Sequence, residues 1–152
     1  MAVYKWVTGS HAKLDAQKVG ETLSRIEQKG ELTPQAVVDA SRRKNAPLHD
    51  YFEWRDDVAA EKYRCVQAGY LIRSIEIVSV GTSEPTRAFV SVSTSDEGNK
   101  RTYINIERAM STAGTRDEVL SRALAELQAF KRKYEGLSEL ASIIEVIDSI
   151  AA

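Results

Sequence analysis

The side chains whose types and spacing could do chemistry in this sequence are cations and aromatics, not nucleophiles or metal ligands. Arg42-Arg43-Lys44 closes a segment opened by Thr33-Pro34, and three consecutive cations would neutralise phosphates of a nucleic acid. Gln35 and Asp39 are four residues apart, so on a helix they share one face. There an amide can pair with adenine and a carboxylate can accept from cytosine. Arg87 and Arg101, with Lys100 beside the latter, would add backbone contacts from a strand-rich region. Gln35, Asp39, Arg42, Arg43, Lys44, Arg87 and Arg101 thus form the candidate nucleic-acid-binding set, with double-stranded DNA the expected partner. The bland alternative for the basic run is a solvated helix C-terminus, where cations suit the negative end of the dipole.

Pro47-Leu48-His49-Asp50-Tyr51-Phe52-Glu53-Trp54 is the most distinctive stretch. Tyr51, Phe52 and Trp54 could anchor a partner or stack on bases. The competing expectation is that an irregular connector tucks its aromatics into the core to hold itself down. His49 with Asp50, Glu53, Asp56 and Asp57 is the one cluster resembling a metal site. Acids crowding a helix start are better explained by capping and the dipole. His11 is remote and Cys65 lacks a Cys-x-x-Cys partner, so zinc spacing is absent. The sequence contains no Gly-x-Ser-x-Gly elbow, and its eight glycines are scattered singly, which leaves no phosphate-cradling loop. Neither catalysis nor a cofactor or metal is expected.

The elements that must position these residues follow from periodicity and punctuation. Leu14, Val19, Leu23 and Ile26 mark one face of a helix over about 15–28, stopped by Gly30. Thr33 as N-cap and Pro34 at the first helical position start a second helix over about 34–43. The pair has the layout of a helix–turn–helix, whose second helix would enter the major groove. After the aromatic connector, Asp56-Asp57 cap a third helix over about 57–74. Strand character follows at Ile75–Val80, at Arg87–Ser93 and at Thr102–Ile106. The loops between them, Thr82–Pro85 and Ser95–Lys100, are turn-rich, so an antiparallel meander is expected. Thr115 and Glu118 read as a capping box. Leu120, Leu124, Leu127, Phe130 and Tyr134 then form an apolar stripe. Beyond Gly136 it continues through Leu137, Leu140, Ile143, Ile144, Ile147 and Ile150, as a helical hairpin or one long kinked helix. The fold class is α+β, in two parts: 1–114, and a C-terminal packing or oligomerisation segment, 115–152.

Composition excludes extremes. In 152 residues, 21 basic and 22 acidic side chains nearly cancel, which argues against a histone-like binder and an acidic tail. A single cysteine cannot close an intrachain disulfide and suits a reducing compartment. No apolar run approaches the ~20 residues of a membrane span, and the first residues lack a signal core. A cytoplasmic setting without membrane contact is expected.

Several phrases resemble an uncharacterised family encoded by bacteriophages and prophages. They are Leu32-Thr33-Pro34 with Val37-Val38 and Ala40; Pro47-Leu48-His49 with Tyr51-Phe52-Glu53-Trp54; Tyr63-Arg64 with Gln67-Ala68 and Leu71-Ile72-Arg73-Ser74; and Arg87-Ala88-Phe89-Val90-Ser91-Val92. The resemblance spans about Tyr4 to Ile147 and carries no established activity. It implies a phage context and the host cytoplasm, hence DNA-associated regulation or assembly. The leading expectation is a non-enzymatic DNA-binding protein acting as a homo-oligomer through Leu120 to Ile150. The alternative is a structural or protein-interaction module without nucleic-acid affinity.

Overall fold

The computed structural model describes residues 2–55, 58–94 and 100–151. The expected Asp56-Asp57 cap and most of the Ser95–Lys100 loop lie outside them. The chain divides into two compact units, 1–109 and 110–152.

In the first unit, β1 (Val3–Trp6), α1 (Ala16–Lys29), α2 (Pro34–Ser41) and α3 (Val58–Ser74) precede four strands. These are β2 (Ile75–Val78), β3 (Thr86–Arg87), β4 (Phe89–Ser93) and β5 (Arg101–Asn105), and the short helix α4 (Ile106–Ser111) follows. The class is α+β. Both early helices begin where side-chain caps satisfy free N–H groups. The Lys18 amide donates to Asp15 Oδ1 at 2.8 Å, and the Ala36 amide to Thr33 Oγ1 at 3.1 Å with Pro34 next to the cap. Gly30 ends α1 in extended backbone, φ 174°, so the left-handed stop that glycine usually supplies is not used there.

A three-stranded antiparallel sheet has the order β1-β2-β3, with Tyr4 opposite Ile77 and Glu76 opposite Arg87. The expected run from Arg87 to Ser93 is divided at buried Ala88. Its amide donates to the Ile75 carbonyl at 3.1 Å, and its carbonyl accepts from the Ile106 amide at 2.9 Å. The chain therefore leaves β2 at that residue and pairs β4 with β5 as a separate antiparallel hairpin. The third place in the sheet is filled by β1. Gln17 of α1 clasps this edge strand, accepting from the Tyr4 amide (2.9 Å) and donating to the Ala2 carbonyl (2.8 Å), which occupies groups that would otherwise template aggregation.

The core joins Val19 and Leu23 of α1, Leu32, Val37 and Val38 around α2, Leu48 and Phe52 of the connector, Leu71 and Ile72 of α3, and Ile75, Ile77 and Phe89 of the strands. Gly20 lets the Tyr4 ring lie against the α1 backbone: a Cβ there would overlap the ring carbons. The α1–α2 turn is tied to the hairpin, because the Leu32 carbonyl accepts from the Tyr103 amide (2.8 Å) and from Thr102 Oγ1 (3.1 Å).

The second unit contains α5 (Ala113–Tyr134), a 3-10 turn at Ser138–Leu140, and α6 (Ala141–Ala151). Lys131 of α5 pairs with Asp148 of α6, so the two helices fold back as a hairpin. The capping-box expectation is corrected. The cap position is Thr112, without a side-chain bond; Thr115 Oγ1 donates to its carbonyl at 3.1 Å, and Glu118 pairs with Arg122 at 3.2 Å. Gly114 costs little in a first turn, whose N–H groups have no intrahelical partner, so the helix starts upstream of it. Among the described residues, no helix is long and apolar enough to cross a membrane.

Candidate functional site

Side chains on the face expected to read bases bond to one another and to α3. Gln35, Asp39 and Arg42 do share the outward side of α2, and Glu61 of α3 meets them there. Gln35 Nε2 donates to Asp39 Oδ1 (3.1 Å) and to Glu61 Oε1 (2.8 Å), while Cys65 Sγ donates to Gln35 Oε1 (3.2 Å). Arg42 bridges Asp39 (3.0 Å) and Glu61 (2.5 Å). Glu61, Arg42 and Cys65 respond to these surroundings. The Gln35 amide, then Arg64 and Arg42, hold the Glu61 carboxyl below its ordinary range, against a smaller opposing effect of desolvation. Hydrogen bonding to Asp39 raises Arg42 further, and burial pushes the Cys65 thiol up. Two carboxylates thus balance Arg42 and Arg64, and the amide of Gln35 is already engaged. This arrangement ties α2 to α3 through side chains that remain about half exposed on Asp39 (56%) and Arg42 (45%).

The aromatic connector is turned largely inward. Phe52 is buried, and Tyr51 and Trp54 are half-buried against the core. Trp54 Nε1 donates to the His49 carbonyl at 2.8 Å, and the His49 ring stacks on the indole at 5.0 Å between centroids and 8° between planes. His49 Nδ1 lies 2.9 Å from the Ser41 carbonyl; a carbonyl only accepts, so Nδ1 carries the proton. Arg64, 2% exposed, places its guanidinium 5.0 Å over the indole and donates from Nη1 to the Glu53 carbonyl at 2.6 Å. Arg64 also donates to Glu61 Oε2 from Nε (3.2 Å) and Nη2 (3.0 Å). The connector is thereby latched to α3 by one buried cation. As partner anchors, Tyr51 and Trp54 have only their outer edges to offer, and Phe52 has almost none.

The remaining expected cations are spread out. Arg43 and Lys44 are exposed in the turn after α2; Arg87 is exposed on β3; Arg101 lies on β5, donating to Ser91 Oγ (2.8 Å) and the Ser91 carbonyl (3.0 Å) of the neighbouring strand. Arg87 and Arg101 thus sit on the sheet and on the hairpin, elements other than α2.

Two features escaped the sequence reading. Glu27 of α1 is buried and forms an ion pair with Arg108 of α4, beside Tyr4 and Asn105 in a cleft of about 310 Å³. Burial holds the Tyr4 proton on more firmly than usual. Since Arg108 supplies the counter-charge, the cleft reads as a fastening of α1 to α4. Its only sequence signal was an acid on the apolar face of α1. Among the described residues, no group of three or more His, Cys, Asp or Glu side chains could hold a metal.

The second feature is a surface. In the unit 110–152, Ile147 (4% exposed) is the only buried side chain among the described residues. Leu120 (46%), Leu124, Leu127, Leu137, Ile143, Val146 (57%) and Ile150 are all exposed, and none of the 22 residues of α5 is buried. Comparison of the chain with protein-family models, with curated proteins and with solved structures returns no match.

Proposed function

We propose that the protein is a non-enzymatic interaction module that assembles as a homo-oligomer through its C-terminal unit. The observation that carries this is α5, a 22-residue helix with no buried side chain and an apolar stripe facing outward. Helices owe most of their stability in water to packing of such a stripe, and a segment this small seldom builds a sufficient core by itself. A hairpin with one buried side chain among its described residues needs a partner.

A second copy of the chain fits that need. Leu120, Leu127 and Tyr134 recur every seven residues, with Ala123 and Phe130 between them, the spacing that lets like helices pair along a seam. The unit also carries both signs of charge, with Arg132 and Lys133 on α5 and Glu145 on α6. A two-fold contact brings one patch against its own copy, so a patch holding both signs can be self-complementary. Burying the exposed half of each apolar side chain contributes about 1 kcal/mol, counted once from each protomer.

In a phage-encoded chain, as the sequence resemblance implies, such a module would serve assembly or act as an adaptor in the host cytoplasm. DNA reading through α2 is the less favoured function, because its polar face is already engaged. Replacing Leu120 and Leu127 together with Glu tests the proposal in light scattering: a particle of twice the chain mass or more should fall to one chain mass. An unchanged mass in the variant overturns it.

A further inference from the structure

A groove of about 340 Å³ runs between α1 and the end of α2, lined by Thr22, Arg25, Ile26 and Lys29 on one side and by Ala40 and Pro47 on the other. Ile26, Ala40 and Pro47 are its apolar lining residues. Arg25 and Lys29 are exposed on its wall, and Arg43 and Lys44 sit in the turn that joins Ala40 to Pro47, where the Ala46 amide donates to the Arg43 carbonyl at 2.8 Å. We propose that this groove binds a nucleic-acid strand through its phosphodiester backbone, a site separate from the α2–α3 network and independent of the C-terminal assembly surface.

Charge balance carries the argument. Arg42, Arg55, Arg64, Arg108, Arg122, Lys100 and Lys131 each have a carboxylate partner. Among the described residues, no carboxylate oxygen comes within 4.0 Å of the side-chain nitrogens of Arg25, Lys29, Arg43 or Lys44. The nearest acid in sequence to the α2 wall, Asp39, is held by Arg42 and Gln35. Arg25 and Lys29 in the lining, with Arg43 and Lys44 in the adjoining turn, therefore leave unpaired positive charge at the groove in a chain whose net charge is −1.

Shape decides which polyanion fits. Arg25 and Lys29 are one turn apart, about 6 Å along the helix axis, so they present a row of charge that tracks a backbone. The apolar lining would take the sugar edges between phosphates. A concave slot admits one strand, whereas a duplex is read by a convex element entering its groove. No aromatic ring lines the slot, so base stacking contributes nothing and binding is independent of sequence.

The test uses the intact chain with a fluorescent single-stranded oligonucleotide, the same sequence as a duplex, and inorganic polyphosphate as competitor. Affinity for the single strand should fall with salt, with a log–log slope of roughly −0.7 per phosphate contacted. Neutralising Arg25 and Lys29 (R25Q, K29Q) should reduce the slope magnitude by about 1.4 and weaken binding at least tenfold. Arg43→Gln with Lys44→Gln should do the same, while Arg87→Gln leaves both unchanged. All five positions are exposed, and far-UV circular dichroism confirms that each variant is folded. The proposal is overturned by absence of single-strand binding at low salt, by unchanged binding in the groove variants, by tighter binding of the duplex, or by polyphosphate competing as well as the unlabelled strand at equal phosphate. The Leu120/Leu127 variant should retain the salt slope, so failure of the groove and failure of the assembly surface give different results.

Discussion

Removing Arg64 should destabilise the first unit far more than removing Arg42, although both arginines contact Glu61. Arg64 is 2% exposed and its guanidinium is held by the Glu53 carbonyl, by Glu61 and by the face of Trp54. Arg64→Ala loses a charged hydrogen bond worth about 1.5–3 kcal/mol and a cation–π contact worth about 1 kcal/mol. It also leaves a void beneath the connector. The contact with Glu61 adds little, since that carboxylate is 34% exposed and keeps Arg42. Before the void is counted, the two terms sum to about 2.5–4 kcal/mol. Arg42→Ala, with a side chain 45% exposed, should cost under about 1 kcal/mol. Urea unfolding followed by the fluorescence of Trp6 and Trp54 measures both, the midpoint shifting by the loss divided by the slope m. Equal midpoints for the two variants would refute the claim that the connector hangs on one buried cation.

Gly20→Ala should destabilise by about 1–3 kcal/mol despite better helix propensity, because its methyl group would overlap the Tyr4 ring; a thermal midpoint at or above wild type contradicts that packing. Stability should also decline in acid. Glu61 titrates below its ordinary range when folded, so its contribution is complete above the unfolded value near pH 4.3. That contribution is lost as pH falls through the lower folded value. Glu61→Gln should flatten this part of the stability–pH curve, and an unaltered curve would show that the network has no energetic role.

The sequence revealed what neighbours in the chain decide. Thr33-Pro34 announced α2 because the cap oxygen and the amide that donates to it are three residues apart, and the stripe from Leu120 to Tyr134 announced α5 through its own period. Partnerships between distant residues were invisible. Arg42 read as a phosphate contact because Glu61, its counter-ion, is 19 residues away on another helix. The strand β1 carries only four residues of mixed polarity and exists because β2, some seventy residues later, offers it an edge. The split at Ala88 likewise depends on two backbone bonds to remote residues. The competing readings of the aromatic connector were distinguished by burial, which reflects how the whole chain closes around Phe52.

Sedimentation equilibrium of the intact chain across a hundredfold range of concentration tests self-assembly most directly. The account predicts a weight-average mass that rises with concentration toward at least twice 16.9 kDa. A mass fixed at that of one chain throughout, with the exposed leucines and isoleucines of α5 and α6 intact, would contradict it.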